Sequence, residues 1–243
     1  MHAAIVTGVS RGLGEALASE LLAHGATVVG IGRTASARHR GPKYKHVSCD
    51  LARPSLVAAA VLPTLREVAA LKPSNATLIN NAAIATPVGF VGRLDAAEIE
   101  AALATNAAAP LVLADLFLRA FPASVPRRII NVSSGAAQTA IAGSAAYCMS
   151  KAALEMLTRS IVADGTNGSV ECISLRPGIF ETGMQQYMRS RDPAEFPSVA
   201  LFRGFKDQGM LKDPAEVARA IVAKLVLSPV ENGRTYVHTD LYA

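Results

Sequence analysis

Short, almost wholly apolar runs alternate along the chain with longer stretches whose apolar positions recur every three or four residues. Strands covered on both faces lose the polar alternation of half-exposed strands, so this pattern predicts parallel strands joined by crossover helices. Residues 3–7 predict the first strand, followed by a glycine-rich turn and a helix to about His24. Gly25 would end that helix as a C-terminal glycine. Residues 27–31 predict the second strand, a basic loop follows, and residues 45–49 predict the third. Residues 54–71 carry helical periodicity and 76–80 the fourth strand. Asp95 would cap a long Ala-rich helix, with Glu98 completing an Asp version of the capping box. Pro110 would kink or divide that helix. Residues 128–132 predict the fifth strand, a helix containing Tyr147 follows, and 170–175 predict the sixth. Residues 177–213 look irregular. A helix over 214–227 would begin on an Asp213 cap with Pro214 at its first position, and 236–239 predict a last strand. No repeat or linker interrupts the pattern. The expectation is an α/β fold over residues 1–243, a single domain with a doubly wound parallel sheet and helices on both faces.

Composition sharpens this. A chain of 243 residues, 51% hydrophobic, is long enough for one large core. With 5% aromatics and no Trp, that core must be built of Ala, Val, Leu and Ile. The formal charge of +5 fits nucleic acid, a membrane surface or a small anionic ligand. The basic residues are scattered apart from a cluster between Arg33 and Lys45, with no aromatic-interleaved stripe, so no nucleic-acid partner is expected. Cys49, Cys148 and Cys172 have neither disulfide nor zinc-ligand spacing, which suits a reducing compartment and predicts no metal. With no basic leader and no uninterrupted apolar run of eighteen residues, no membrane span is expected and the chain reads as cytoplasmic.

Candidate chemistry begins where the first strand ends, in Thr7-Gly8-Val9-Ser10-Arg11-Gly12-Leu13-Gly14. Glycines at 8, 12 and 14 let backbone N–H groups approach a pyrophosphate, and the helix opening there aims its positive end at the phosphates. The alternative is a βα turn without a ligand. Nineteen positions beyond Gly14 stands Arg33, and no carboxylate occurs between Gly32 and Gly41. An acid at that place would bind the adenosine ribose, whereas arginine accommodates a 2′-phosphate. Arg33, with Arg11 in the turn, favours NADP over NAD, the alternative being two solvated surface arginines. Tyr147 and Lys151 lie four positions apart, on one face of a helix. An ammonium close by would lower the phenol pKa and make the pair a proton donor and acceptor for a carbonyl or alcohol. By itself, the spacing also fits an ordinary amphipathic helix.

Taken together, these motifs resemble the short-chain dehydrogenase/reductase family. The glycine turn is followed in family order by Asp50-Leu51, Asn80-Asn81-Ala82-Ala83, Asn106, Ser134, Tyr147-x-x-x-Lys151, Pro177-Gly178 and Thr182. Ser134 precedes Tyr147 by the thirteen positions usual in the family. Ala83 departs from the family's glycine, and the added methyl predicts a slightly altered turn. Within the family, Tyr147-Cys148, Phe180-Glu181-Thr182-Gly183-Met184-Gln185 and the 209–218 stretch resemble the benzil and sepiapterin reductase branch, with Glu181 where that branch often has Asp.

The resemblance implies a Rossmann fold and specific roles. Tyr147 would donate the proton, Lys151 would lower its pKa and hold the nicotinamide ribose, and Ser134 would bond the same substrate oxygen. Asn106 would anchor a water linking Lys151 to solvent, or else satisfy a helix irregularity. Gly8, Ser10, Arg11, Gly12, Leu13 and Gly14 would line the phosphates. Asp50 and Leu51 would meet adenine, and Asn81, Ala82 and Ala83 the ribose and nicotinamide side. Pro177, Gly178, Ile179 and Thr182 would face the nicotinamide. The 178–213 stretch, with Phe180, Met184, Tyr187, Met188, Phe196, Phe202, Phe205 and Met210, would form a lid over an apolar pocket or a satellite core. The implied activity is NADPH-dependent reduction of a bulky carbonyl by a homodimer or homotetramer. Alcohol oxidation and a silent NADP-binding regulator stand as alternatives.

Overall fold

A computed structural model describes residues 1–165 and 170–243. Its sheet has seven parallel strands in the order β3-β2-β1-β4-β5-β6-β7. They are β1 (His2–Thr7), β2 (Thr27–Gly32), β3 (Tyr44–Ser48), β4 (Asn75–Asn80), β5 (Arg127–Val132), β6 (Val170–Arg176) and β7 (Thr235–Val237). Each strand falls within a residue or two of its predicted place. The alternation along β1 shows why the central strands read as continuous apolar runs. Ala3 and Ile5 pack into one layer and Ala4 and Val6 into the other, so between His2 and Thr7 no position is left for a polar side chain.

One layer holds α1 (Gly12–Ala23) and α8 (Pro214–Ile221); the opposite layer holds α2 (Pro54–Ala70), α4 (Ala109–Ala120) and α5 (Ala145–Ala163). Local signals set the ends. Gly25 takes φ +79 after α1, and the Asp95 and Asp213 carboxylates accept from the N–H groups of Glu98 and Ala215. The order runs outward from β1 in both directions. The crossovers after β1 and β4 therefore diverge, and a crevice opens at the carboxyl ends of these strands.

One expectation is met with its break placed just before Pro110, and two change. The long Ala-rich helix is divided into α3 (Ala96–Leu103), a wide π turn (Ala104–Ala108) and α4. Pro110 sits in the first turn of α4, where its missing N–H follows the widened turn. The whole run Ala96–Ala120 is long and apolar enough to cross a membrane by composition. In the fold, however, its Leu113, Leu116 and Phe117 are buried against the sheet and α2. Finally, the stretch read as irregular contains two helices, α6 (Gly183–Arg189) and α7 (Val199–Asp207). Both are short and pack chiefly on each other, so their signal is too brief for periodicity to resolve.

Candidate active site

The crevice at the carboxyl ends of the strands has a volume of about 1270 Å³. Its wall contains Gly8, Ser10, Arg11, Gly12, Leu13, Gly14, Arg33, Asp50, Leu51, Asn81, Ala82, Ala83, Ser134, Tyr147, Lys151, Pro177, Gly178, Ile179 and Thr182. Every site residue expected from the sequence therefore lies on one surface, Asn106 excepted.

At one end, Gly8 and Gly12 adopt φ +75 and +62, conformations that residues with a Cβ rarely take. Gly14 is required for a different reason: a Cβ there would lie 2.2 Å from the Gly8 carbonyl oxygen and 2.5 Å from Asn81 Nδ2. This close seating brings α1 against the end of β1. Thr7 Oγ1 accepts from the N–H groups of Asn81 and Ala82, both at 2.9 Å, and Asn81 Nδ2 donates to Thr7 O. The turns after β1 and β4 are thus fastened together. Arg11 precedes α1 without capping it by its side chain, so the amides of the first turn remain available to a ligand. The Arg11 guanidinium reaches across to α6, lying about 3.6 Å from where a Gly183 Cβ would be. Arg33 is exposed on the crevice wall beside Thr34. Arg38, from the same basic loop, instead faces Glu15 at 3.7 Å, and Ser36 also donates to that carboxylate.

At the other end, α5 carries Tyr147 and Lys151 on one face, and Ser134, whose Oγ accepts from Ala136 N at 3.2 Å, lies on the same wall. Packing works against the acidification of Tyr147 expected from Lys151. Burial pushes the phenol up to about 12, and the Ser134 side chain only partly opposes it. Lys151 Nζ lies 5.6 Å from the phenol ring centre and donates instead to Val132 O at 2.7 Å. The lysine itself is 3% exposed, and burial pulls its pKa down to about 8.

Asn106 lies behind this wall, inside the π turn. Its Oδ1 accepts from Ile84 N at 2.9 Å, and its Nδ2 donates to Ile84 O and Ser150 Oγ at 2.8 and 3.1 Å. It clamps the β4–α3 connection to α5, and its amide makes no bond to Lys151. Of the proposed lid side chains, Phe180, Met184, Met188, Phe202 and Phe205 line the crevice. Phe196 is fully buried and Met210 is exposed, so neither faces it. Met188, Phe196 and Phe202 pack together with Tyr147 and Ile141 alongside, so a satellite core borders the crevice here.

Sequence reasoning missed Thr139, Ser144, Gln185 and His238 on the crevice wall. None belongs to a motif with a local mechanism. It also missed the ion pair of Glu155 and Arg176 at 2.8 Å, although Glu155 shares the helical face of Tyr147 and Lys151. Among the described residues, no group of His, Cys, Asp or Glu is placed to hold a metal.

A doubly wound sheet with a glycine turn at its switch point and a Ser–Tyr–Lys cluster across the crevice defines a dinucleotide-dependent oxidoreductase. The short chain dehydrogenase family model matches residues 2–193, and the chain belongs to that family. It is an enzyme class acting on carbonyl and hydroxyl groups. The chain is 32% identical over 239 residues to a benzil reductase ((S)-benzoin forming) of Bacillus subtilis strain 168, covering 97% of this chain and 98% of that one. It is 31% identical to the sepiapterin reductase of Meriones unguiculatus, covering 98% and 95%. A short chain dehydrogenase from Burkholderia cenocepacia, solved in complex with NADP, superposes with a TM-score of 0.76 at 26% identity, covering 96% and 94%. These matches put the chain in the benzil and sepiapterin reductase branch.

Proposed function

We propose that the protein is an NADPH-dependent reductase of bulky, apolar ketones or diketones, with Tyr147 as proton donor. The observation that carries this reading is that Ser134, Tyr147 and Lys151 converge on one crevice that begins at the glycine turn. The residues fit a nicotinamide dinucleotide: uncapped helix amides and two positive-φ glycines suit the pyrophosphate, and the volume of about 1270 Å³ leaves room for substrate. When bound, such a cofactor supplies the hydride.

The chain's own groups supply the rest. A phenol held up at about 12 remains protonated at neutral pH, which favours donating a proton over accepting one. Ser134 would donate a hydrogen bond to the same substrate oxygen and stabilise the charge developing there. Lys151 would turn from Val132 O to the nicotinamide ribose and favour the proton's departure from Tyr147. Asn106 is a positioning residue, holding Ile84 and the π turn behind α5.

Arg33 and Arg11 support the preference for the 2′-phosphate, since both line the crevice and no carboxylate occurs between Gly32 and Gly41. Asp50 and Leu51 would flank the adenine. Phe180, Met184, Met188, Phe202 and Phe205 support an apolar substrate, because they would exclude water around the reacting carbonyl. The benzil reductase relative, an enzyme of an aromatic diketone, points the same way. The same reading takes the protein to be a cytoplasmic homodimer or homotetramer, which sedimentation would check.

The test is NADPH consumption against a panel running from aryl diketones to small polar ketones. Turnover confined to small polar ketones or sugars would refute the substrate assignment. NADPH binding without turnover, unchanged in Tyr147→Phe, would favour a silent sensor.

A further inference from the structure

Two grips hold the end of β5 against α5, and they are one helical turn apart. Lys151 Nζ donates to Val132 O at 2.7 Å. The next residue, Ser133, donates from Oγ to Glu155 Oε1 at 2.8 Å, with Lys151 O a further acceptor at 3.4 Å. Ser134 follows immediately, so these two grips fix where its backbone starts.

The Glu155 carboxylate is engaged on every side. Arg176 Nε donates to Oε1 and Nη2 to Oε2, both at 2.8 Å, in a planar fork. The remaining guanidinium nitrogen, Nη1, donates to Gln138 Oε1 at 2.6 Å, on the far side of the short helical turn Gly135–Ala137 that Ser134 caps. Arg176 is the last residue of β6, and Pro177-Gly178 continue along the crevice wall. Ser133 N completes the link by donating to Leu175 O at 2.7 Å. The network therefore joins β5, the turn after Ser134, α5 and β6, the segments that carry Ser134, Tyr147, Lys151 and Gly178.

The two grips differ in availability. Lys151 has a second task in the proposed reaction, at the cofactor ribose, and taking it up releases Val132 O. Glu155 and Arg176 hold each other through both carboxylate oxygens and lie 14% and 20% exposed, Arg176 at the edge of the crevice. A charge-assisted bidentate pair of this kind holds its geometry when a neighbouring contact is lost.

We propose that Glu155 and Arg176 are positioning residues for the reductase reaction, holding Ser134 in register with the Tyr147 phenol while Lys151 is engaged elsewhere. Neither residue belongs to the Ser–Tyr–Lys motif, and the inference rests on the reductase reading above. Their effect travels through Ser133 and the Gly135–Ala137 turn to the Ser134 hydroxyl.

The experiment compares wild type, Glu155→Gln, Glu155→Asp and Ser133→Ala, using a ketone that the wild type reduces. Small displacements of reacting groups cost much rate, so Glu155→Gln is expected to lose on the order of tenfold in kcat with NADPH Kd within about twofold. Glu155→Asp keeps the charge and should recover part of the loss. Ser133→Ala leaves the ion pair intact and should lose about threefold, and the double variant should lose no more than Glu155→Gln alone, because both act through one linkage. A second readout is the pH profile of the reverse alcohol oxidation. Displacing Ser134 removes a hydroxyl that favours the phenolate, so the profile should move to higher pH in Glu155→Gln, which a purely structural role would leave in place.

An unchanged kcat and pH profile in Glu155→Gln would overturn the inference. Should that variant fail to fold, Ser133→Ala decides, and wild-type kcat in it overturns the inference equally. A wild type that binds NADPH and reduces no ketone sinks the reductase reading and this inference with it. A working wild type matched by its variants sinks the inference alone.

Discussion

Lys151→Met should stabilise the fold while abolishing activity. The lysine is 3% exposed, and burial pulls its pKa from 10.5 to about 8. That shift corresponds to a folded-state penalty on the ammonium of about 3 kcal/mol. Methionine fills a similar volume without the charge, but Val132 O loses its donor at 2.7 Å. Losing that hydrogen bond costs about 1 kcal/mol, which leaves a gain of about 2 kcal/mol. For a chain of this length the gain should raise Tm by about 4–8 °C. The sign follows from proton binding. Below about pH 8 both folded and unfolded lysine carry the proton, so the penalty is complete. Between about 8 and 10.5 the folded wild type releases its proton first, so its stability climbs with pH and the variant's lead shrinks. Calorimetry of both proteins across this range, with NADPH turnover alongside, makes the measurement. A variant no more stable than wild type at neutral pH, or a Tm gap constant through the alkaline range, would refute the reasoning.

Other consequences can be checked directly. Tyr147→Phe should lower ketone reduction by about 10²–10⁴-fold with NADPH binding retained, as kinetics and a fluorescence titration would show. Gly14→Ala forces a methyl to within 2.2 Å of the Gly8 carbonyl oxygen. It should cost about 1–3 kcal/mol in thermal or urea unfolding and weaken dinucleotide binding in the same protein. Arg33→Ala should raise the KM for NADPH while leaving that for NADH nearly unchanged, since only the former carries the 2′-phosphate that the guanidinium would meet. Asp95→Ala removes the acceptor for Glu98 N at 3.0 Å and should cost about 1 kcal/mol in the same unfolding assay, with kcat unaffected.

Much of the fold could be read before any coordinates because its signals are local. Apolar runs bounded by turns located the strands, Gly25 ended a helix, and Asp95 and Asp213 opened two others. The same is true of the crevice, whose glycines, Asn81, Pro177 and Thr182 stand at strand ends where the chain must turn. The helices α6 and α7 escaped notice because neither is long enough to display a period, and Thr182 as the cap of α6 was the available clue. Asn106 was placed in a helix, but its partner Ile84 lies far away in sequence, in the β4–α3 connection. The division of the basic loop was likewise hidden, since only the packing of that loop on α1 directs Arg38 to Glu15 and leaves Arg33 on the wall.

What the sequence determined alone was the order of strands and helices, the turn that suits a pyrophosphate and the helical face shared by Tyr147 and Lys151. These follow from backbone geometry and side-chain period over a few residues. The tertiary structure alone decided how those groups ionise and what holds them. It raised the phenol, neutralised the lysine's advantage by burial, and brought Glu155 to Arg176 across the end of the sheet. Electrostatics in a packed interior depends on every neighbouring chain segment, and a linear pattern does not specify which segments those are.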